Sequence, residues 1–349
     1  MDTLNNKLTI SYIVPVYNGV RYLHNCLDSL RNQGLDDSQY EIICIDDCSK
    51  DSSVLLLKEY AARYANVRLI LHETNKRTST SCNEGLNYAK GKYIWVVGQD
   101  DWLEQDNAKR LIEIAEKDKL DVIPFNYNRV NANGTEILFK EEVFKNSPIM
   151  NGETFIKSYF YDLTGDYLAG YEWRAIYRRQ YLKEKQIYFP KDVIFEDTTF
   201  LLKAIWFADR MRSINDFIYN YRMNDTSITD SVQRYKGYLT YEFSFRTSTE
   251  LLAFIADVKD EHVAGELRRS AMKSLTSFAY KVVPMKWKEK MIFYGNVQRD
   301  WNEIKSFMEM MPLLHKALIH PKYGIYVASM LKPMFMLKHS IIKRSYINK

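Results

Sequence analysis

Only four of the 349 residues are cysteines, and none stands in a CxxC pair. Cys26, Cys44, Cys48 and Cys82 occupy apolar or loop-edge contexts, so reduced thiols are expected rather than a disulfide framework or a zinc site. No run of eighteen residues is apolar and uncharged enough to cross a bilayer. The opening Met1-Asp2-Thr3-Leu4-Asn5-Asn6 lacks a basic stretch leading into an apolar one, and a cytoplasmic body is therefore expected. GxGxxG is absent after the first apolar run, where Pro15-Val16-Tyr17-Asn18-Gly19 stands, and GxxxxGK[ST] occurs nowhere. These absences disfavour dinucleotide dehydrogenases and P-loop enzymes. The lack of GxSxG argues against an α/β-hydrolase, and the six histidines form no HExxH or other tight metal spacing.

What is present is an ordinary globular composition, 46% apolar and 27% charged, which excludes long disorder. The net charge of +5 is unevenly spread. From Leu251 onward 17 basic residues face 8 acidic ones, a local +9 that leaves −4 for the first 250 residues. Met311 to Lys349 holds seven basic residues and no acidic one. Such a tail implies either an anionic surface, with lipid suggested by the interleaved Tyr323, Ile325, Tyr326, Met330, Leu331 and Phe335, or a basic helical face packed onto the body. The acidic front half and the absence of zinc-finger spacing disfavour a nucleic-acid partner.

Strand-like runs at Leu8–Val16, Glu41–Ile45, Val67–Leu71, Lys92–Val97 and Asp121–Phe125 alternate with helical patterns over 22–30, 52–64, 79–89 and 105–117. This alternation predicts βαβ units, hence an α/β fold with a mostly parallel central sheet flanked by helices. Right-handed crossovers then bring every strand's carboxyl end to one edge. Beyond Phe125 the regularity fades. Helices are expected over 152–161, 201–207, 243–258 and 266–280, giving a helical C-terminal extension. The domain expectation is 1–110, 111–236 and 237–349.

Acids gather at the predicted sheet edge. Asp100 and Asp101 follow an apolar strand directly, and such a pair suits a hard divalent cation together with phosphate oxygens. Asp101 can alternatively cap the next helix, with Glu104 three residues on. Asp46 and Asp47 end the second strand and can accept from a bound base or sugar, while Ser49 or Asp51 can cap the next helix. Glu196 and Asp197 precede a helix and suit acid–base work on a hydroxyl, although first-turn acids also occur for the macrodipole alone. Tyr171, Trp173, Arg174 and Tyr177 suit either a sugar-stacking wall or a core.

The series Val14-Pro15-Val16-Tyr17-Asn18, Ile45-Asp46-Asp47-Cys48-Ser49, Asn83-Glu84-Gly85-Leu86, Ala89-Lys90-Gly91-Lys92-Tyr93-Ile94, Gln99-Asp100-Asp101 and Phe195-Glu196-Asp197 resembles the family 2 glycosyltransferases of GT-A fold, over about residues 8 to 225. The resemblance implies transfer of a sugar from a nucleotide diphosphate sugar, a UDP-sugar foremost, to a hydroxyl, usually with inversion and with Mn²⁺ or Mg²⁺. It implies Pro15, Tyr17, Asp46, Asp47, Asn83 and Asp100 on the donor side, and Asp100 with Asp101 at the metal. Asp197 becomes the base, with Glu196, Trp173 and Arg174 on the acceptor side. A saccharide or lipid-linked acceptor and surface polysaccharide assembly, at the inner face of the cell membrane, are the expected context. Two positions depart from the family pattern: Gly98 replaces the first acid of DxD, and Ser81-Cys82-Asn83 replaces Ala-Arg-Asn. The alternative consistent with both is a catalytically weak nucleotide-sugar binding protein.

Overall fold

The computed structural model describes residues 8–164, 171–190, 197–224, 247–265, 267–268, 282–283, 285–299, 317–318, 320–322 and 324–332. The chain falls into two compact units, Met1–Asp192 with Glu196–Asn224, and Val193–Phe195 with Asp225–Lys349.

In the first unit, strands β1 (Ile10–Val16), β2 (Tyr40–Asp46), β3 (Val67–Leu71) and β4 (Tyr93–Val96) alternate with helices α1 (Val20–Arg31), α2 (Ser53–Arg63) and α3 (Arg77–Tyr88). The chain continues through β5 (Trp102–Leu103), α4 (Asn107–Asp118), β6 (Val122–Pro124), β7 (Asn126–Val130), β8 (Ile137–Glu141) and α5 (Gly152–Thr164). A 3₁₀ turn at Glu172–Arg174 leads into β9 (Ala175–Arg178) and α6 (Arg179–Glu184), and the unit ends with α7 (Asp197–Trp206) and β10 (Phe217–Arg222).

The main sheet has the order β3-β2-β1-β4-β9-β6. The first four strands are parallel, and β9 runs antiparallel to both β4 and β6. Every residue of β2 is buried and so is nearly all of β1, because helices cover both faces of a parallel sheet. Helix α1 buries Leu23, Cys26, Leu27 and Leu30, the spacing of one helical face. Each of the three leucines contributes roughly 1.5–3 kcal/mol relative to exposure.

Chain order runs outward from β1 to β3 and then returns to β4 on the other side of β1. Loops after β1 and β4 therefore diverge, and the crevice of the open sheet lies between them.

A second sheet, order β5-β10-β7-β8, was not expected from the sequence. Its central pair β7 and β10 is parallel, and Trp102 and Leu103 join β10 antiparallel. This pairing corrects the capping expectation for Asp101. Trp102-Leu103 are drawn into a strand by a partner about 117 residues away, so the helix starts only at Asn107, with Asp106 as its N-cap. A boundary at 110/111 likewise does not divide the structure, since β6 and β9 complete the sheet begun by β1 to β4.

In the second unit the described helices include α8 (Thr247–Ile255) and α9 (Trp287–Arg299), with helical stretches at 261–265 and 324–332. All but residues 267–268 of the helix expected over 266–280, and most of the basic tail, lie outside the described residues. Among those described, no helix is long and apolar enough to cross a membrane.

Candidate active site

The loops after β1, β2 and β4 are laced together at the carboxyl edge. The Gln99 side chain clasps Tyr17, accepting from its N–H at 2.9 Å and donating to its carbonyl at 3.0 Å. This clasp spans the crevice between β1 and β4. Gly19 leaves room for it, because a Cβ there would stand 2.0 Å from Gln99 Oε1 and the Gln99 side chain would have to move. Asn18 adopts φ +50°, its N–H donates to Ser49 Oγ at 2.9 Å, and its Oδ1 accepts from Lys50 N at 2.7 Å. Tyr17 is left 46% exposed on this rim.

Asp46 and Asp47 differ sharply. The Asp47 carboxylate is buried and saturated: Oδ1 accepts from Lys76 N at 2.6 Å and faces His72 Nδ1 at 2.7 Å, while Oδ2 accepts from Arg77 N at 2.8 Å. Its work is internal, shaping the 73–77 segment. Asp46 is buried too, with Oδ1 accepting from Ser49 N at 3.0 Å, but its Oδ2 has no hydrogen-bond partner among the described residues. A buried acceptor without a partner costs on the order of 1–3 kcal/mol, a cost that a ligand N–H or O–H can remove.

After β4 the chain makes a tight turn, Asp101 N donating to Gly98 O at 3.1 Å. Asp101 is 2% exposed. Its Oδ1 accepts from Arg222 N at 2.8 Å and its Oδ2 from the Tyr219 hydroxyl at 2.7 Å, while that hydroxyl accepts from Gly98 N at 2.9 Å. Asp100 is half-buried, with Oδ2 accepting from Asn224 Nδ2 and its carbonyl accepting from Arg222 Nε at 2.8 Å. Burial pushes the Asp100 carboxyl above its ordinary value, against the lowering effect of Asn224 and Arg222. Asp101 is pushed well above the carboxylate range by burial first and by the Asp100 charge second.

A cation would relieve both carboxyls, and the donor set bears on how one would bind. Both Asp101 oxygens already serve Tyr219 and Arg222, and among the described residues no group of three His, Cys, Asp or Glu side chains could hold a metal ion. The residues fit an ion held by Asp100 together with ligand phosphates and water, the usual manner of Mg²⁺, rather than a preformed cage. Gly98 also acquires a reason. A Cβ there would lie 2.6 Å from Asp101 Oδ2 and 3.3 Å from the Tyr219 hydroxyl, so those groups fill the space of the missing first acid.

Asp197 opens α7, where the macrodipole favours its charge. A ring stack connects it to the Asp101 turn. Tyr219 stacks on Trp173 at 4.2 Å and 11°, and Trp173 stacks on Tyr171 at 4.8 Å and 13°. Tyr221 lies over both. The Tyr171 phenol is held above its usual range by burial foremost, then by Tyr127, Tyr221 and the Asp197 carboxylate, so Asp197 lies within electrostatic reach of the stack. Trp173 and Arg174, expected on the acceptor side, are 5% and 1% exposed. They sit beneath the surface, Arg174 over the rings of Tyr127 and Phe144, while half-buried Tyr171 and Tyr221 form the more accessible part of the stack. Glu196 lies outside the described residues.

Asn83 also faces inward. Its side chain clasps the Phe189 backbone, donating to the carbonyl and accepting from the N–H, both at 2.9 Å. Phe189 stacks on Phe200 of α7 at 4.0 Å, so Asn83 braces the helix that carries Asp197. Pro15 pairs with Ile45 inside the sheet, one residue short of the rim. Sequence reasoning missed Gln99, Tyr219, Arg222 and Asn224. Alternation in Phe217–Arg222 signals a strand, but no local pattern names its partners.

A mostly parallel sheet with carboxylates on its carboxyl edge, extended by an antiparallel strand and a smaller sheet, defines the GT-A class of fold. Residues 11–184 match Glycosyl transferase family 2, and the chain belongs to that family. The uncharacterized glycosyltransferase EpsJ of Bacillus subtilis (strain 168) is 31% identical over 232 residues, 63% of this chain and 63% of that protein. The poly(ribitol-phosphate) beta-glucosyltransferase of Bacillus spizizenii is 30% identical over 217 residues, 61% of this chain and 32% of that protein. In fold, the chain is similar to S. aureus TarS 1-349 in complex with UDP-GlcNAc, with TM-score 0.68, 19% identity and coverage of 95% and 92% of the two chains. The match to EpsJ thus spans less than two thirds of that relative's length.

Proposed function

We propose that this chain transfers a sugar from a nucleotide diphosphate sugar, a UDP-sugar foremost, to a hydroxyl of a saccharide or lipid-linked saccharide, with inversion, in surface polysaccharide assembly. The observation that carries the reading is the partnerless Asp46 Oδ2 on the same edge as the desolvated Asp100 carboxyl, one suited to a base or ribose donor group and the other to a diphosphate with its counter-ion. Family membership and the UDP-sugar named with the TarS structure agree with it.

In this reading Tyr17 covers the nucleoside from the rim and Asp46 Oδ2 accepts its hydrogen bond. Pro15, Asp47 and Asn83 hold the pocket from behind. Asp100, with Asp101 bracing its turn, would hold Mn²⁺ or Mg²⁺, which when bound neutralises charge on the diphosphate. Asp197 accepts the proton of the attacking hydroxyl as the new bond to the anomeric carbon forms and the bond to the diphosphate oxygen breaks. That single displacement inverts the centre and needs no covalent enzyme intermediate. Tyr171 and Tyr221 offer ring faces to the acceptor, supported by Trp173 and Arg174, with Glu196 beside the base. The basic segment 311–349 would bring the chain to an anionic membrane surface on the cytoplasmic side.

The test is a screen of nucleotide sugars for divalent-cation-dependent thermal stabilisation, followed by transfer assays and NMR of the product's anomeric configuration. Stabilisation by one uridine sugar with an inverted product is expected. Stabilisation without turnover for any acceptor would favour a binding protein, the reading Gly98 invites. For the tail, co-sedimentation with anionic liposomes should weaken on deletion of residues 311–349.

A further inference from the structure

The second unit carries an exposed apolar face that the transfer chemistry does not use. Helix α9 and the 324–332 helix pack side by side. Lys332 Nζ donates to Met285 O at 3.1 Å, Lys290 Nζ donates to Ser329 Oγ at 3.2 Å, and a Cβ at Gly324 would stand 2.7 Å from Tyr294 Cε1. Rising numbers on one helix meet falling numbers on the other, so the pair is antiparallel. Its seam is well covered: Phe293, Tyr294 and Val297 of α9 are buried, and so are Ile325 and Ala328 of its neighbour.

One flank of the seam is not covered. Trp287 and Met291 stand one turn apart on α9, and Tyr326 and Met330 one turn apart on the other helix. All four are more than half exposed, Met330 at 79%. At about 100° per residue, each pair lies to one side of the contact made by Lys290 and Ser329. Antiparallel helices turn in mirrored senses when viewed from one end, so both pairs fall on the same side. Ile292 continues the apolar surface around α9. Folding gains nothing from large apolar groups left in water, and their clustering marks a surface with a partner.

Charge identifies that partner. Residues 285–299 and 320–332 hold six Lys or Arg and one acid, and that acid, Glu289, accepts from Lys286 N at 2.7 Å. Lys286, Lys288 and Lys322 are exposed. A second copy seated on the same face by a two-fold axis would set these lysines against their counterparts. An anionic bilayer suits both components, because apolar and aromatic groups enter the headgroup boundary while lysines meet lipid phosphates. Among the described residues no helix is long and apolar enough to span, so the pair would lie in the membrane plane. We infer that the face formed by Trp287, Met291, Tyr326 and Met330 inserts into the headgroup region of an anionic membrane. The inference rests on the membrane placement proposed above and deepens it, from attraction of a basic tail to insertion of an apolar face that begins outside residues 311–349.

The test uses the full chain without nucleotide, so it does not depend on transferase activity. The probes are vesicles of phosphatidylcholine alone or with an equal share of phosphatidylglycerol, with and without bromine on the acyl chains. Bromine quenches only tryptophan that enters the bilayer. Anionic brominated vesicles should quench wild type, and Trp287→Phe should lose most of that quenching while still binding. Met291→Glu and Met330→Glu should each weaken flotation with anionic vesicles roughly tenfold, by removing apolar contact and adding a repelled charge. Both positions are exposed, and unchanged melting temperatures would confirm that the variants fold. Equal quenching of wild type and Trp287→Phe at equal binding overturns the insertion and leaves attachment to the basic tail alone. Failure of wild type to bind anionic vesicles overturns the insertion and the membrane placement together. A dimer in light scattering that Met291→Glu dissociates, with vesicle binding unaltered, would make the face a subunit interface and also overturn the inference.

Discussion

The Tyr219 hydroxyl donates to Asp101 at 2.7 Å while accepting from the Gly98 N–H at 2.9 Å, so one phenol from the second sheet fixes both ends of the turn that presents Asp100. Tyr219→Phe removes both partners at once and leaves a buried carboxyl oxygen and the N–H of half-buried Gly98 unsatisfied. A loss of about 1–3 kcal/mol in unfolding free energy is expected, read by urea denaturation. Unchanged stability would mean the turn holds itself.

Reinstating the family's missing acid should not help. Gly98→Asp brings a Cβ to 2.6 Å from Asp101 Oδ2 and adds a third carboxylate to two already desolvated ones. The variant should be destabilised by about 1–3 kcal/mol through overpacking, with no gain in Mn²⁺ affinity by calorimetry. A tighter site would show that Asp101 can swing away.

Asp197→Asn keeps shape and removes the proton acceptor. Turnover at saturating donor and acceptor should fall about 10²–10⁴-fold while UDP affinity is retained. Undiminished turnover would take the base role from Asp197.

Acid stability should reveal Glu84. Burial raises its carboxyl, but the hydrogen bonds and charges of His72 and Lys76 outweigh that and hold it below the ordinary 4.5. A depressed acid contributes stability above its unfolded value and loses it as pH falls through the folded one. Wild type should therefore exceed Glu84→Gln by about 1 kcal/mol or less at neutral pH, since the pair is partly exposed. The gap should close as pH drops below 4.5 in parallel urea titrations.

Thiol accessibility gives a simple check on the fold. Cys26, Cys44 and Cys82 are buried and Cys48 is half-buried in the loop after β2, with Lys50 Nζ 3.1 Å from its sulfur. Ellman's reagent should titrate one thiol quickly in native protein and all four after denaturation, and UDP should slow the fast one. Two fast thiols would contradict the packing of α1 or α3.

The order of β1 to β4 with α1 to α4 was legible because apolar period and turn residues are local signals, and the acids at strand ends were legible because they stand where an apolar run stops. The fold after Phe125 was not. Strands β7, β8 and β10 carry polar and aromatic residues whose strand character depends on one another, and β9 enters the main sheet antiparallel between β4 and β6. The site was half visible: the sequence marked Asp46 and Asp47 for a bound base or sugar and Asp100 and Asp101 for a metal, and nothing adjacent showed which carboxylate of each pair is spent inside the fold.

Sequence alone determined which residues can form a parallel sheet and that acids would line its carboxyl edge, since both follow from spacing within a few residues. Tertiary structure decided which oxygens remain available. Asp47 is spent on His72, Lys76 and Arg77, and Asp101 on Tyr219 and Arg222, while Asp46 keeps a lone acceptor. Those partners lie some 25 to 121 positions away along the chain, and a hydrogen bond needs its donor within about 3 Å, a proximity that only the folded path of the backbone creates.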